Sequence, residues 1–195
     1  MDPLSKQREF LISREYFSIA LMRLLIYGFG PYREFENNVT EKILRKLPNR
    51  SWLKKVVFPV RFQRGQFIDA IERYKPDVIL GLGQCSKGRI LRIERRALNH
   101  RRNSKRAKAR PILRRGVHRF LTDLPLKLGR HARPSNNAGD YVCNYSMYLI
   151  LDYLKRHRLS IPYGFIHIPC RYNPIKASRI LEKAIGRIHP VSLVR

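Results

Sequence analysis

Asp77-Val78-Ile79-Leu80-Gly81-Leu82-Gly83-Gln84 decides the fold. The run is apolar without alternation and ends in a glycine turn. A strand with one wet face alternates polar and apolar residues, whereas an unbroken apolar run fits a parallel strand covered by helices on both faces. Two further runs read the same way. Leu21-Met22-Arg23-Leu24-Leu25-Ile26-Tyr27 precedes Gly28-Phe29-Gly30-Pro31, and Gly164-Phe165-Ile166-His167-Ile168 is closed by Pro169. Val56-Val57-Phe58-Pro59-Val60 carries a proline and reads as an edge or irregular strand. Between these lie helical patterns at 38–47, with Asn38 as cap, at 66–74, stopped by Pro76, at 143–156 and at 177–188. Strand and helix alternating in this order predict an α/β fold, a three-layer α/β/α sandwich with a mostly parallel central sheet and right-handed crossovers.

The chain has 195 residues, 44% of them apolar, with 12 Pro and 11 Gly, which is enough to bury a core and excludes wholesale disorder and collagen-like repeats. Residues 1–20 read as an N-terminal extension and 21–195 as one domain with a basic insert near 99–119. Three Cys in a chain of this length make a disulfide scaffold a poor reading and suit a reducing cytoplasm. The longest apolar run, 17–29, is interrupted by Arg23, and the start lacks a small-residue cleavage site, so neither a membrane span nor a secretory signal is expected.

Lys and Arg number 41 against 14 Asp and Glu, a net charge of +27. No acid falls between Glu94 and Asp123, a gap that holds Arg101, Arg102, Lys105, Arg106, Lys108, Arg110, Arg114, Arg115 and Arg119. Such a stretch attracts phosphate backbones through counterion release. No nucleic-acid motif accompanies it, so a solvated basic loop is the first reading and polyanion binding the alternative.

In open α/β sheets ligands bind beyond the carboxyl ends of the strands. There this chain has Gly28-Phe29-Gly30-Pro31-Tyr32, Gly83-Gln84-Cys85 and His167. Cys143 falls where a helix should begin, and a helix N-terminus stabilises a thiolate, so Cys143 is a candidate nucleophile. A histidine on a neighbouring strand would take its proton, and a carboxylate would orient that histidine. Cys85 and Cys170 read as structural. A zinc site from Cys85, Cys143, His167 and Cys170 lacks compact ligand spacing.

Ser135-Asn136-Asn137-Ala138-Gly139-Asp140-Tyr141-Val142-Cys143-Asn144-Tyr145-Ser146-Met147-Tyr148 resembles the nucleophile motif of the pyroglutamyl peptidase I family of cysteine peptidases, Ser-x-x-Ala-Gly-x-aromatic-x-Cys-Asn-x-x-x-Tyr. Gly164-Phe165-Ile166-His167-Ile168-Pro169 is similar to that family's histidine strand. Gly83-Gln84 followed by Glu94, Arg95, Ala97 and Asn99 resembles a third segment. Gly28-Phe29-Gly30-Pro31-Tyr32 and Phe58-Pro59-Val60-Arg61-Phe62 resemble two more, in the family's order, over residues 22–170. The resemblance implies a phosphorylase/hydrolase-like sandwich that needs no cofactor or metal and removes N-terminal pyroglutamyl residues from peptides. It implies Cys143 as nucleophile, His167 as base and Glu94 as its orienting acid. Phe29, Tyr32 and Tyr141 would form an aromatic wall beside Val142, with Gln84 as the lactam's amide partner. It also points toward a homo-oligomer. Core packing is the alternative for the aromatic residues, and a surface ion pair with Arg92, Arg95 or Arg96 is the alternative for Glu94. Two departures stand out: Ile93 replaces the family's proline, and the loop after Asn99 is shorter and basic where the family's is acidic and polar. A non-peptidase binding polyanions through that loop, or a hydrolase of another small amide, would share the same core.

Overall fold

Strand β1 (Leu24–Phe29) is buried at all six positions, which requires cover on both of its faces. The computed structural model describes residues 22–32, 36–104 and 106–188. The N-terminal extension read at 1–20 lies outside them. Within them the strands are β1, β2 (Leu53–Phe58), β3 (Val78–Cys85), β4 (Leu91–Glu94), β5 (Arg96–Leu98), β6 (Arg119–Leu121), β7 (Ala132–Ser135) and β8 (Tyr163–Pro169). The α-helices are α1 (Val39–Lys46), α2 (Arg64–Tyr74), α3 (Val142–Arg156) and α4 (Pro174–Ile188). The central sheet runs β2-β1-β3-β8-β4-β7. Strands β2, β1, β3 and β8 are parallel, and β4 meets β8 antiparallel. The expected α/β/α sandwich is present, with β2 at its edge; the strand expected at 56–60 runs from Leu53 to Phe58 and ends before Pro59.

Alternate residues of each buried strand serve two cores. Leu25, Tyr27, Ile79 and Phe165 pack with α2 and α3. Leu24, Ile26, Val78, Leu80 and Ile166 pack with α1 and α4. This double cover is why the strand sequences do not alternate.

The helix ends follow local chemistry. Asn38 Oδ1 accepts from Thr40 N–H at 3.0 Å and caps α1. Helix α2 stops at Lys75, in the left-handed region at φ 43°, just before Pro76. Helix α4 begins three residues earlier than the apolar pattern suggests. Asn173 Oδ1 accepts from the N–H groups of Ile175 and Lys176 at 2.9 and 3.0 Å, and Pro174 takes the first helical position.

The basic middle is ordered where sequence offered little pattern. Strands β5 and β6 pair antiparallel as a separate small sheet. The loop between them is gathered by Asn99, whose Oδ1 accepts from Ile112 and Leu113 N–H at 2.8 and 2.9 Å and whose Nδ2 donates to Leu113 O at 2.8 Å. No helix among the described residues is long and apolar enough to cross a membrane.

Candidate active site

Cys143 is the second residue of α3, at the sheet end where β3 and β8 finish. Its Sγ lies against β3 at Gly83: a Cβ built on that glycine would come within 2.8 Å of the sulfur. Gly83 is therefore needed for close approach rather than for a turn. Its register partner on β8 is His167. The nucleophile candidate and the histidine thus meet the same point of the sheet, one from a helix and one from the adjacent strand.

His167 is buried, with 4% of its surface exposed, and Glu94 is fully buried at 0%. His167 Nδ1 lies 2.8 Å from Glu94 Oε1. A carboxylate accepts only, so Nδ1 carries the proton and Nε2 is left as a base. The antiparallel pairing of β4 with β8 produces this contact, since Arg92 stands opposite His167 and Glu94 lies two residues on. Zero exposure corrects the alternative of a surface ion pair. Arg92 Nε does approach Glu94 Oε1, at 3.4 Å, but from the flank of a buried pair. The Phe165 ring packs edge-on to the imidazole, centroids 5.1 Å apart.

The thiol departs from the expectation of a stabilised thiolate. Burial pushes Cys143 up to about 12, nearby Cys85 and Glu94 add to the rise, and the Arg92 guanidinium opposes it. The helix N-terminus also opposes it but does not outweigh desolvation. Cys143 is therefore a neutral thiol at rest, and its proton must leave as it attacks.

Beside Cys143 is a cavity of about 200 Å³, which all five residues expected to touch substrate help line: Phe29, Tyr32, Gln84, Tyr141 and Val142. Tyr32 and Tyr141 stand with ring centroids 5.1 Å apart, and Phe62 backs Tyr141 at 5.1 Å. Phe29 is only 2% exposed and also packs edge-on to Tyr27 and Phe67, so it belongs to wall and core at once. Gln84 Oε1 accepts from Val39 N–H at 2.8 Å, which fixes the amide with Nε2 as the group available to a ligand.

Residues absent from the sequence reading of the site complete it. Asn38 also lines the cavity. Its side chain is held by Thr40 and by Gly30 O, which accepts from Nδ2 at 3.1 Å. Its place ahead of an apolar helical pattern revealed the cap but not the lining. Asn144, next to the nucleophile, is clamped to β5: Leu98 N–H donates to its Oδ1 at 2.9 Å, and its Nδ2 donates to Leu98 O and His100 O at 2.8 Å each. Tyr148 OH donates to Val117 O at 2.7 Å. These bonds fix the start of α3 against the hairpin. Cys85 and Cys170 are free thiols, and no group of three or more potential metal ligands occurs among the described residues.

Comparison with known proteins places this geometry. The profile of the family described as pyroglutamyl peptidase matches residues 22–188. The chain is 31% identical over 178 residues to the pyrrolidone-carboxylate peptidase of Lactobacillus acidophilus, covering 81% of this chain and 88% of that protein. It is similar to the crystal structure of pyrrolidone carboxyl peptidase from Thermus thermophilus, with TM-score 0.71 and 29% identity, covering 83% of this chain and 98% of that one. The pyrrolidone carboxyl peptidase of Thermococcus litoralis superposes with TM-score 0.77 at 22% identity, covering 89% and 95% of the two chains, a likeness of fold.

Proposed function

The chain belongs to the pyroglutamyl peptidase family of cysteine peptidases, and from that premise we propose that it hydrolyses N-terminal pyroglutamyl residues from peptides using Cys143, His167 and Glu94. The observation that carries the reading is the buried His167–Glu94 hydrogen bond of 2.8 Å on the strand position paired with Gly83, over which the Cys143 sulfur sits.

In this mechanism His167 Nε2 accepts the Cys143 proton as the sulfur attacks the carbonyl carbon of the pyroglutamyl residue. The C–N bond then breaks, and His167 returns the proton to the departing amine. A thioester remains. Water, deprotonated by His167, attacks it and releases pyroglutamate and the thiol. Glu94 holds the imidazole in the working tautomer and offsets its transient positive charge. The oxyanion needs donors. The N–H groups of Val142, Cys143 and Asn144 precede the first bond within α3, Tyr145 N–H to Tyr141 O at 3.0 Å, and are therefore available.

The cavity suits a small neutral lactam. Aromatic rings of Tyr32 and Tyr141 flank it, and Gln84 Nε2 is oriented to donate to a ring carbonyl. Among the described residues no carboxylate lines it, as befits a substrate without a free α-amine. Arg101 and Arg102 lie near the start of α3, with Arg102 Nε 3.0 Å from Asp140, and favour peptides that carry acids beyond the pyroglutamyl residue. The test is release of a fluorescent amine from a pyroglutamyl amide. Wild type should turn it over, and Cys143→Ala, still folded, should not. Turnover by Cys143→Ala at the wild-type rate would overturn the assignment.

A further inference from the structure

Two further cavities are lined by basic residues, and the second of them meets the catalytic cavity at Ser86. One, of about 690 Å³, runs between α4 and the segment 127–131. The other, of about 900 Å³, lies at the turn after β3 and shares Asn173 and Lys176 with the first, so the two form one groove. Among the described residues nine Lys and Arg side chains line it, and no Asp or Glu does. On α4 the cations are Lys176, Arg179, Lys183 and Arg187. Their spacing of three or four residues makes a ridge along one helix face about 16 Å long. Lys127 and Arg130 face it from the opposite wall.

Among the described residues none of these nine cations has a carboxylate within ion-pair distance. The basic run at 101–119 differs. There Arg102 pairs with Asp140, and Arg101 lies over the rings of Phe62 and Tyr145, 5.0 and 5.8 Å from their centroids. Among the described residues the groove's charges repel one another with no carboxylate paired to them, and only Arg187 has a carbonyl partner, Lys127 O at 3.4 Å.

We propose that this groove binds single-stranded nucleic acid, with its backbone along the α4 ridge and a base against Tyr172. A nucleic acid carries a charge at every nucleotide, a density that acidic peptides seldom reach, and cationic grooves with an aromatic platform suit it. Tyr172 is half-buried and lines the turn end of the groove beside Arg171 and Arg89. None of the groove's nine cations borders the catalytic cavity, which the groove meets at Ser86, so the α4 ridge can be altered without touching the residues of hydrolysis.

The experiment is fluorescence anisotropy of a labelled oligouridylate of roughly 20 nucleotides with the full chain, from 50 to 200 mM salt. Replacing Arg179, Lys183 and Arg187 together by Gln should weaken binding at least ~10-fold and lower the slope of log affinity against log salt by about 2, near 0.7 for each lost phosphate contact. Arg179→Lys with Arg187→Lys keeps the charge and should keep the slope, which separates electrostatics from damage to the helix. Turnover of the pyroglutamyl amide should be unchanged in both variants. Four results would overturn the proposal: no oligonucleotide binding at 50 mM salt, equal binding by the Gln variant, equal affinity for labelled poly-glutamate, or loss of hydrolysis in the folded Gln variant.

Discussion

Helices α3 and α4 are each 15 residues long and cover opposite faces of one sheet, yet their surfaces differ in kind. Twelve residues of α3 are buried, and its first turn carries the candidate nucleophile. Five residues of α4 are buried, and its outer face carries the cationic ridge. A helix enclosed on nearly all sides is held at many points, so the atom at its end is held too, as attack on a carbonyl demands. A helix with one wet face can gather charge there at little cost to the fold. Chemistry that depends on position therefore sits on the first helix, and binding that depends on summed charge sits on the second.

The sharpest break of this contrast comes through the partner of the α3 nucleophile. Glu94→Gln preserves shape but removes the charge that fixes the His167 tautomer. We expect kcat to fall by about 10² to 10⁴ with KM nearly constant and the melting transition retained. Unchanged kcat would mean that position alone, without this buried charge, sets the rate.

A second test compares the helices directly. Asn144→Ala removes three hydrogen bonds, two to Leu98 of β5 and one to His100 just beyond it. The expected loss is about 2–4 kcal/mol in urea unfolding. Lys183→Ala, on the exposed face of α4, should stay within about 0.5 kcal/mol. Equal losses at the two sites would dissolve the distinction.

How much of this was legible follows the same line. The strands β1, β3 and β8 were readable because burial on both faces leaves unbroken apolar runs, and α1 because Asn38 caps it; β2, an edge strand with Lys54 and Val57 exposed, was read at 56–60 and lies at Leu53–Phe58. Strands β4 to β7 were not. They are three or four residues long, lie among arginines, and owe their existence to pairing with distant partners rather than to a local pattern. The Glu94–His167 contact spans 73 residues and depends on β4 turning antiparallel to β8, which no local spacing announces. The thiol's environment misled for a related reason. The position of Cys143 at a helix start was visible in sequence, but the desolvation that outweighs the helix dipole comes from elements around it. The cationic groove escaped notice because its walls are about 50 residues apart in sequence and neither is a basic run by itself, whereas the run at 101–119 is conspicuous and partly neutralised by its own protein.

The enclosed side should also show itself in alkali. The hydroxyls of Tyr27 and Tyr163 share a hydrogen bond of 2.7 Å beneath α3, and burial raises both above their ordinary value, as it raises the Cys143 thiol to about 12. Each group holds its proton longer folded than unfolded. The stabilisation is complete below the unfolded value, ~8.5 for Cys and ~10 for Tyr, and is lost as pH rises beyond it, because the unfolded chain then binds fewer protons. Between pH 8.5 and 10 the slope from Cys143 rises toward a limit of about 1.4 kcal/mol per pH unit, and Cys85, also raised by burial, adds to it. Urea midpoints for Cys143→Ala should therefore decline less steeply over that interval than for wild type. Parallel declines would place the thiol in a wetter setting than the enclosed-helix picture allows.

The smallest effect concerns the cations near the start of α3. Arg101 rests over Phe62 and Tyr145, and Arg102 pairs with Asp140, one residue before the helix cap Tyr141. Unlike the α4 ridge, these two have partners, so part of their charge is already offset. What remains can steer an acidic peptide toward the cavity without touching the reacting atoms. Replacing both by Gln should lower kcat/KM for acidic pyroglutamyl peptides by about 3- to 10-fold at low salt and hardly at all at 0.5 M, where charges are screened beyond about 4 Å. For a neutral substrate kcat should stay within about twofold at either salt, since steering acts on encounter rather than on the chemical step. A loss of kcat that persists in high salt would show that a charge near the start of α3 acts by position, and the division between the two helices would then extend to their loops.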